Sequence, residues 1–449
     1  MAQSAAESDR VIEACLGQIN ENKLKDCLKN LHPADIAEAL SRVPLAQRIR
    51  VIRAAGPERA ALILYELDQD MISPLLEALG PKRLADVLNA MSDDDAADIL
   101  GELPENQKDQ LLSLMEASEA KDVRELLKYG EDTAGGIMTT EYVSLKEEVT
   151  AAEALEYLRQ VGSEVETVYH IYLINEQAQL TGVISLRELI MAPPEARMEQ
   201  VMNRRVIYAN VWDDQEKVAK MVAKYDFISI PVVNDGNQLL GIVTVDDVLD
   251  VLEEEATEDI LKLANLDAED QDLVETGAWQ RAFRRLPWLI ALLFGGLIAG
   301  NVIKGFSGTL EQVTALAFFI TAMAGGPGNA ATQSLTLVVR GLATGEVDQR
   351  KLLKAILKEA QVGLIIGLVA GSVLALVAFL WQGSPLLGLV VGLALTVNIT
   401  ISTMLGSFFP VVMNRLGFDP AVASGPFIAT FMDVTSMFIY FSLATLLLL

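Results

Sequence analysis

The stretch Asp419-Pro-Ala-Val-Ala-Ser-Gly-Pro-Phe-Ile-Ala-Thr-Phe-Met-Asp433-Val-Thr-Ser-Met-Phe-Ile-Tyr-Phe441 decides how the rest of the chain is read. Asp433 sits inside a segment otherwise apolar enough to cross a bilayer. A carboxylate at membrane depth is costly, and such residues usually face a bundle interior or an aqueous path and serve function. The plainer alternative is an aspartate hydrogen-bonded to a neighbouring helix or kept protonated. Working outward, apolar segments at 287–303, 312–341, 359–381, 386–413 and 422–448 each approach the ~20 residues of a spanning helix. Five spans are therefore expected. Arg281, Arg284, Arg285, Arg340, Arg350, Lys351, Lys354, Lys358 and Arg415 then fall on one side and only Lys304 on the other. This pattern predicts a cytoplasmic N-terminus and an outside C-terminus.

The second span contains Met323-Ala-Gly-Gly-Pro-Gly-Asn-Ala-Ala-Thr-Gln-Ser334. Gly325, Gly326, Pro327 and Gly328 are expected to disrupt its helical hydrogen bonding. Broken backbone at membrane depth is tolerated where it is buried or lines a cavity. Its carbonyls, with Asn329, Thr332 and Gln333, can then face hydrated ions; a packing kink is the alternative. Asn398, Thr400, Ser402 and Thr403 give the fourth span a polar stripe that packs or lines water.

Charge divides the chain. Of its 449 residues, 61 are acidic and 35 basic, and 55 of those acids but 28 of those bases precede Pro287. An acidic soluble half is joined to a nearly neutral membrane half. Such a surface repels nucleic acid and attracts cations. Two cysteines, Cys15 and Cys27, suggest no disulfide framework and suit a reducing compartment. The opening residues have neither a basic region nor an apolar run, so no signal peptide is expected and the acidic half should stay cytoplasmic. Two histidines, His32 and His170, exclude a His-rich metal site but leave oxygen-ligand chemistry open. No nucleophile–base pair suggests an enzyme.

Residues 1–130 read as helix throughout. Short units open on a breaker or cap, as in His32-Pro-Ala-Asp, Gly56-Pro-Glu-Arg, Gly80-Pro-Lys-Arg and Ser92-Asp-Asp-Asp. Proline at the first helical position and acids in the first turn both suit a helix N-terminus. Asp93, Asp94, Asp95 and Asp98 cluster at one such start, as caps and solubilising charge or as ligands.

An internal repeat follows. Ile137-Met-Thr matches Val201-Met-Asn, and Gly182-Val-Ile-Ser-Leu-Arg-Glu matches Gly241-Ile-Val-Thr-Val-Asp-Asp, 59 positions later. In each copy an amphipathic helix (151–161; 215–225) precedes two strand runs joined by polar turns at 175–179 and 234–238. This tandem pattern resembles a pair of CBS motifs. The likeness implies a nucleotide cleft in which Ser185 with Glu188, and Thr244 with Asp247, contact ribose and phosphate, although many such pairs bind nothing.

From Asp246 to Glu275 acids crowd the chain, among them Asp246, Asp247, Asp250, Glu254, Glu255, Glu258, Asp259 and Glu275, against the single base Lys262. An apolar stripe persists beneath them, so the expected element is a helix with one packed face and one carboxylate face. Like charges at i, i+4 cost a few tenths of a kcal/mol each. A divalent cation is the simplest partner, and a solvated face the alternative.

The order of parts, together with Asp132-Thr-Ala-Gly-Gly-Ile-Met-Thr139, Gly328-Asn-Ala-Ala-Thr-Gln333 and the opening stretch, resembles the bacterial MgtE magnesium channels over essentially the whole chain. The fold implied is an all-α N-terminal domain (1–130), an α/β tandem CBS pair (131–256), an acidic connecting helix (246–280) and a five-helix transmembrane domain (281–449). The resemblance implies a homodimer in the bacterial inner membrane importing Mg2+, with two copies of Asp433 in the pore. Backbone oxygens near Ala429, with Asn329, help hold a hydrated ion, and Asp419 stands at the cytoplasmic mouth. Regulatory Mg2+ on Asp94, Asp95, Asp98, Asp226, Asp246, Asp247, Asp250, Glu254, Glu255, Glu258, Asp259 and Glu275 would close the pore. ATP tunes some members; here Ser185, Arg187, Glu188 and Phe227 fit that site, while His170 stands where an aromatic is usual. An ion-coupled carrier of divalent cations is the alternative function.

Overall fold

The computed structural model describes residues 15, 21–67, 69–162, 165–264, 266, 278–343, 352–416, 418–420 and 425–449, which divide into two compact units, 1–253 and 254–449. The first unit opens on short helices: α1 (Glu21–Leu28), α2 (Pro33–Ser41), α3 (Leu45–Ala55), α4 (Pro57–Tyr65), α5 (Gln69–Leu79), α6 (Pro81–Leu88), α7 (Asp93–Gly101), α8 (Glu105–Leu114) and α9 (Glu119–Leu126). Pro33, Pro57 and Pro81 begin helices as expected, where a missing N–H costs nothing. Gly56 and Gly80, at φ +84° and +82°, make the turns before the last two. None of these helices is long enough to persist alone in water. A shared core holds them, in which Leu40, Ile63, Leu64, Leu75 and Leu100 are fully buried. One expectation is corrected: Cys15 and Cys27 are joined as a disulfide, a pairing that cysteine count alone could not reveal.

The repeat has the expected form. Its copies comprise β1 (Ser144–Lys146), α10 (Ala151–Val161), β2 (His170–Ile174), β3 (Leu180–Ser185) and α11 (Leu186–Met191), then, after α12 (Met198–Val201), β4 (Ala209–Asn210), α13 (Gln215–Tyr225), β5 (Ser229–Val233), β6 (Leu239–Thr244) and α14 (Val245–Leu263). In each sheet the first strand runs parallel to the second and the second antiparallel to the third. The irregularities also repeat: Ile174 faces Leu180 and Val233 faces Leu239 beyond matching bulges, and Ala178 and Asn237 carry positive φ in the matching turns.

The leading segments are exchanged between the copies. Thr139 bridges Ile242 in the second sheet, its N–H donating at 2.8 Å. Asn203 bridges Val183 in the first sheet, its N–H donating at 2.9 Å. The matched glycines make room for this. A Cβ at Gly241 would lie 2.6 Å from the Thr139 carbonyl oxygen, and one at Gly182 would lie 2.9 Å from the Met202 Cγ.

The second unit holds α15 (Ala278–Gly305), α16 (Ser307–Gln312), a 3-10 turn (Thr314–Phe319), α17 (Ile320–Ala343), α18 (Leu352–Gln382), α19 (Pro385–Arg415) and α20 (Gly425–Leu448). Four of these, α15, α18, α19 and α20, are long and apolar enough to cross a membrane. Against five expected spans, the remaining candidate α17 is the polar one, carrying Asn329, Thr332, Gln333 and Ser334. Glycines let α18 and α19 approach closely, as small residues do between helices in lipid. A Cβ at Gly371 would lie 2.5 Å from the Gly392 carbonyl oxygen, and one at Gly367 would lie 2.8 Å from that of Thr396.

The expected break at Gly325–Gly328 is also corrected: α17 is helical throughout, with Pro327 inside it. The interruption lies earlier, at Val313 (φ −130°, ψ 73°), before the 3-10 turn. An interior proline costs a helix about 3 kcal/mol in isolation, and here small residues offset that through packing. A Cβ at Gly328 would stand 3.4 Å from Ala429 on α20, while Ala331 meets Gly406 on α19.

Candidate functional site

Two groups of acids stand apart, one in each unit. In the first unit, the first turns of α7 and α14 both carry aspartates, which the positive end of a helix favours. They converge on a cavity of about 440 Å³ lined by Asp94, Asp95, Asp246 and Asp247, with Tyr65, Glu66, Ser92 and Glu166. The Thr244 hydroxyl donates to Asp247 Oδ2 at 2.5 Å. The Tyr65 hydroxyl donates to Asp250 Oδ2 at 3.3 Å.

This crowding penalises ionisation. Burial first, and then the Asp94 charge, pushes Asp95 up to about 7 and Asp247 up to about 8. Burial and the neighbouring Asp94, Asp95 and Glu131 push Asp98 up to about 8. Asp94 is shifted upward chiefly by burial. Beside them, Asp93, Glu119 and Glu141 each place a carboxylate oxygen within 4.8 Å of the others'. The Thr140 hydroxyl bonds to Asp93, and burial with the charge of Asp93 pushes Glu141 up to about 8. Carboxylates of one sign, from the buried Asp93 and Asp94 to the exposed Asp98 and Asp246, with few hydrogen-bond donors among them, form the oxygen-rich, relaxed donor set that a hard divalent cation takes.

Other candidates are placed differently. Asp226 is the exposed, left-handed C-cap of α13 and does not line this cavity. Glu254, Glu255, Glu258 and Asp259 follow on α14, and Glu258 is paired with Lys262 at 2.5 Å. Glu275 lies outside the described residues. In the repeat, Ser185 and Glu188 form a capping box with each other, at 2.6 Å between side chains. Hydrogen bonds from Ser185 hold Glu188 below the ordinary carboxylate value. His170 Nδ1 lies 3.2 Å from Ser229 Oγ, which also meets the Tyr172 hydroxyl at 2.9 Å. Arg187 is exposed, and Phe227 stacks on Tyr225 with ring centres 5.5 Å apart. A nucleotide would have to displace the Ser185–Glu188 bond.

In the second unit, Asp433 is the ninth of the 24 residues of α20 and is partly buried. Ala429, one turn earlier, faces Gly328, and Asn329 next to Gly328 is exposed. Within two turns of α19, Asn398, Ser402 and Thr403 are buried and Thr400 is partly buried, so that polar stripe packs inward. Asn398 Nδ2 donates to the Ser436 carbonyl at 3.3 Å. Asp419 is joined to Lys262 at 2.7 Å.

Sequence reading missed Tyr65, Glu119, Glu141, Glu166 and the partner of Lys262. Lys262 was visible as a lone base among acids. Glu141 lies two positions beyond the Asp132–Thr139 motif. Tyr65 carried no signal, because its part depends on α4 lying beside α14.

Comparison with known proteins matches residues 320–443 to the MgtE divalent cation transporter model, 31–132 to the MgtE intracellular N domain, and 134–195 and 198–254 to the CBS domain. The magnesium transporter MgtE of Thermus thermophilus is 45% identical over 327 residues, covering 73% of this chain and 72% of that protein. The magnesium transporter MgtE of Bacillus subtilis is 44% identical over 326 residues, 72% of each chain. The crystal structure of the cytosolic domain of the Mg2+ channel MgtE in complex with ATP is similar to 54% of this chain and covers 99% of its own, with TM-score 0.52 and 37% identity.

Proposed function

This chain belongs to the MgtE family of magnesium transporters, and from that premise we propose that it is a Mg2+-selective channel of the bacterial inner membrane, importing Mg2+ and closed by cytoplasmic Mg2+. Asp433 carries the reading: it is the single charge in the 24 residues of α20. As a homodimer with its pore on the two-fold axis, the protein would present two such carboxylates to one ion. Mg2+ is small and sheds water reluctantly, so few carboxylates suffice to hold it through its hydration shell. Weak holding also lets it leave. Ala429 and Asn329 supply nearby oxygens, and Asp419 meets the ion at the cytoplasmic mouth.

Closure is linkage. A regulatory ion favours the closed arrangement only by binding it more tightly. The cavity between the starts of α7 and α14 suits that role, since its like charges oppose assembly until a cation enters. Asp98, Asp226, Asp250, Glu254, Glu255, Glu258, Asp259 and Glu275 would supply further carboxylates for regulatory ions. ATP at the repeat, held by Ser185, Arg187, Glu188 and Phe227 with His170 nearby, would adjust the response; the similar cytosolic domain in complex with ATP supports this reading. The basic residues flanking the spans favour a cytoplasmic N-terminus. An ion-coupled carrier of divalent cations is the second reading; an interrupted second span would suit it, and that interruption lies at Val313, ahead of α17.

The test is recording from inside-out patches while Mg2+ is titrated on the cytoplasmic face. Inward Mg2+ currents in unitary steps that vanish as cytoplasmic Mg2+ rises are expected. Saturating flux that needs Na+ or H+ and gives no unitary steps would replace the channel by a carrier.

A further inference from the structure

The one base of the acidic helix has a specific address. Lys262, in the last turn of α14, places its Nζ 2.5 Å from Glu258 Oε1 and 2.7 Å from Asp419 Oδ2. Burial works against the ammonium, but the hydrogen bonds to Asp419 and Glu258 outweigh it and raise its pKa, so it stays charged. The next residue, Leu263, packs against an apolar cluster that includes Ile428 and Met432 of α20. Its carbonyl oxygen lies 3.5 Å from where a Gly425 Cβ would stand. The end of the helix is thus seated at the start of α20 by an apolar contact, and beside that contact an ammonium meets a carboxylate.

We propose that Lys262 is a tethered cation that occupies the Asp419 carboxylate while the end of α14 is seated on α20, so that a permeating divalent cation gains this carboxylate only after the ammonium leaves. The proposal rests on the channel reading above, which puts Asp419 at the cytoplasmic mouth. The chemistry is competition between two cations for one anion. A partly exposed ion pair is individually weak, so a passing ion or a small shift of α14 can break it. The lysine therefore acts as a latch whose release is linked to opening. It also accounts for a base in a stretch otherwise given over to acids. The pair ties regulation to the mouth without a metal ion at that point, and Glu258, hydrogen-bonded to the same ammonium, orients it.

The test compares full-length wild type with Lys262→Met, which keeps the apolar stem without the charge, and Lys262→Arg, which keeps the charge. Each is recorded in the same bilayers with cytoplasmic Mg2+ titrated. Lys262→Met is expected to need roughly fivefold more Mg2+ for half-closure, the low end of ordinary coupling between sites, with unitary conductance at full opening little changed. Lys262→Arg should close as wild type does, and the exchange Lys262→Asp with Asp419→Lys should recover part of the shift. An unchanged or lowered half-closing concentration in Lys262→Met, beside a wild type that closes normally, overturns the latch alone. Absence of Mg2+-closed current in wild type overturns the channel reading and the latch with it. Equal shifts in Lys262→Met and Lys262→Arg also overturn it, since loss of packing rather than of charge would then be the cause.

Discussion

Asp247 and Asp433 carry the same group in opposite company. Asp247 shares a cavity with Asp94, Asp95 and Asp246, and burial with the charge of Asp94 pushes it up to about 8. Asp433 is the only charged residue of α20. A crowd of carboxylates offers a cation several oxygens at once and gains much by its arrival, which suits an ion that stays and regulates. A single carboxylate per chain offers one anchor to a hydrated ion, which suits an ion that moves on. The difference lies in how many acids the fold assembles around each.

The strongest way to break the comparison is Asp433→Ala. Mg2+ uptake into proteoliposomes is expected to fall to the level of protein-free vesicles while gel filtration shows an unchanged assembly. Wild-type uptake by that variant would mean the lone carboxylate is structural.

Next in size is the pair Asp95→Asn and Asp247→Asn in one chain. Half-closing cytoplasmic Mg2+ is expected to rise about tenfold, which corresponds to about 1.4 kcal/mol of lost binding. The metal-free variant should melt higher than metal-free wild type, since two charges costly to bury are gone. Closure at the wild-type concentration would show that the cavity does not sense the ion.

The pH dependence sharpens the crowded side. Asp95, Asp98 and Asp247 stand at about 7, 8 and 8 in the fold, above the ordinary 3.8. The folded, metal-free arrangement therefore keeps protons that the unfolded chain releases. Its stability is complete below the unfolded value near 4 and falls as pH rises through about 7 to 8. In chelator, the protection of amides of Asp93–Gly101, relative to their intrinsic base-catalysed exchange, should be lower at about pH 8.5 than at about pH 6, and saturating Mg2+ should remove the difference. Protection independent of pH would count against a proton–metal competition. Tyr65→Phe is the mildest change. It deletes one hydroxyl bond to Asp250, net about 1 kcal/mol or less at a partly exposed site, and should move the closing curve about fivefold at most; a tenfold shift would make Tyr65 a principal part of the cavity.

Much of this was legible in one dimension. The repeat could be read because both copies use the same strand runs and turn chemistry 59 residues apart, and Asn175 and Asn234 each accept backbone N–H bonds within their own turns. Helix starts could be read because prolines and first-turn acids act through neighbours a few residues away. Asp94, Asp95, Asp246 and Asp247 could be nominated as acids, though not as one cavity. Tyr65 joined them, and Glu141 joined Asp93 and Glu119 beside them, only through distant contacts, as the Tyr65–Asp250 and Thr140–Asp93 bonds across 185 and 47 positions illustrate. The helix through Gly325–Gly328 went unread for the opposite reason: local propensity opposes it, and packing against Ala429 and Gly406 outweighs propensity.

The amino-acid sequence by itself determined the parts: an acidic helical segment, a twofold α/β repeat, an acid-rich helix and long apolar segments with one buried-depth aspartate. Those follow from periodicity, charge and turn residues, which act over a few positions. Only the tertiary structure decided that Thr139 completes the sheet of the second copy and Asn203 that of the first, that two acidic helix starts share one cavity, and that Lys262 meets Asp419. Each of those depends on which surfaces bury each other, and burial is a property of the assembled chain rather than of any stretch within it.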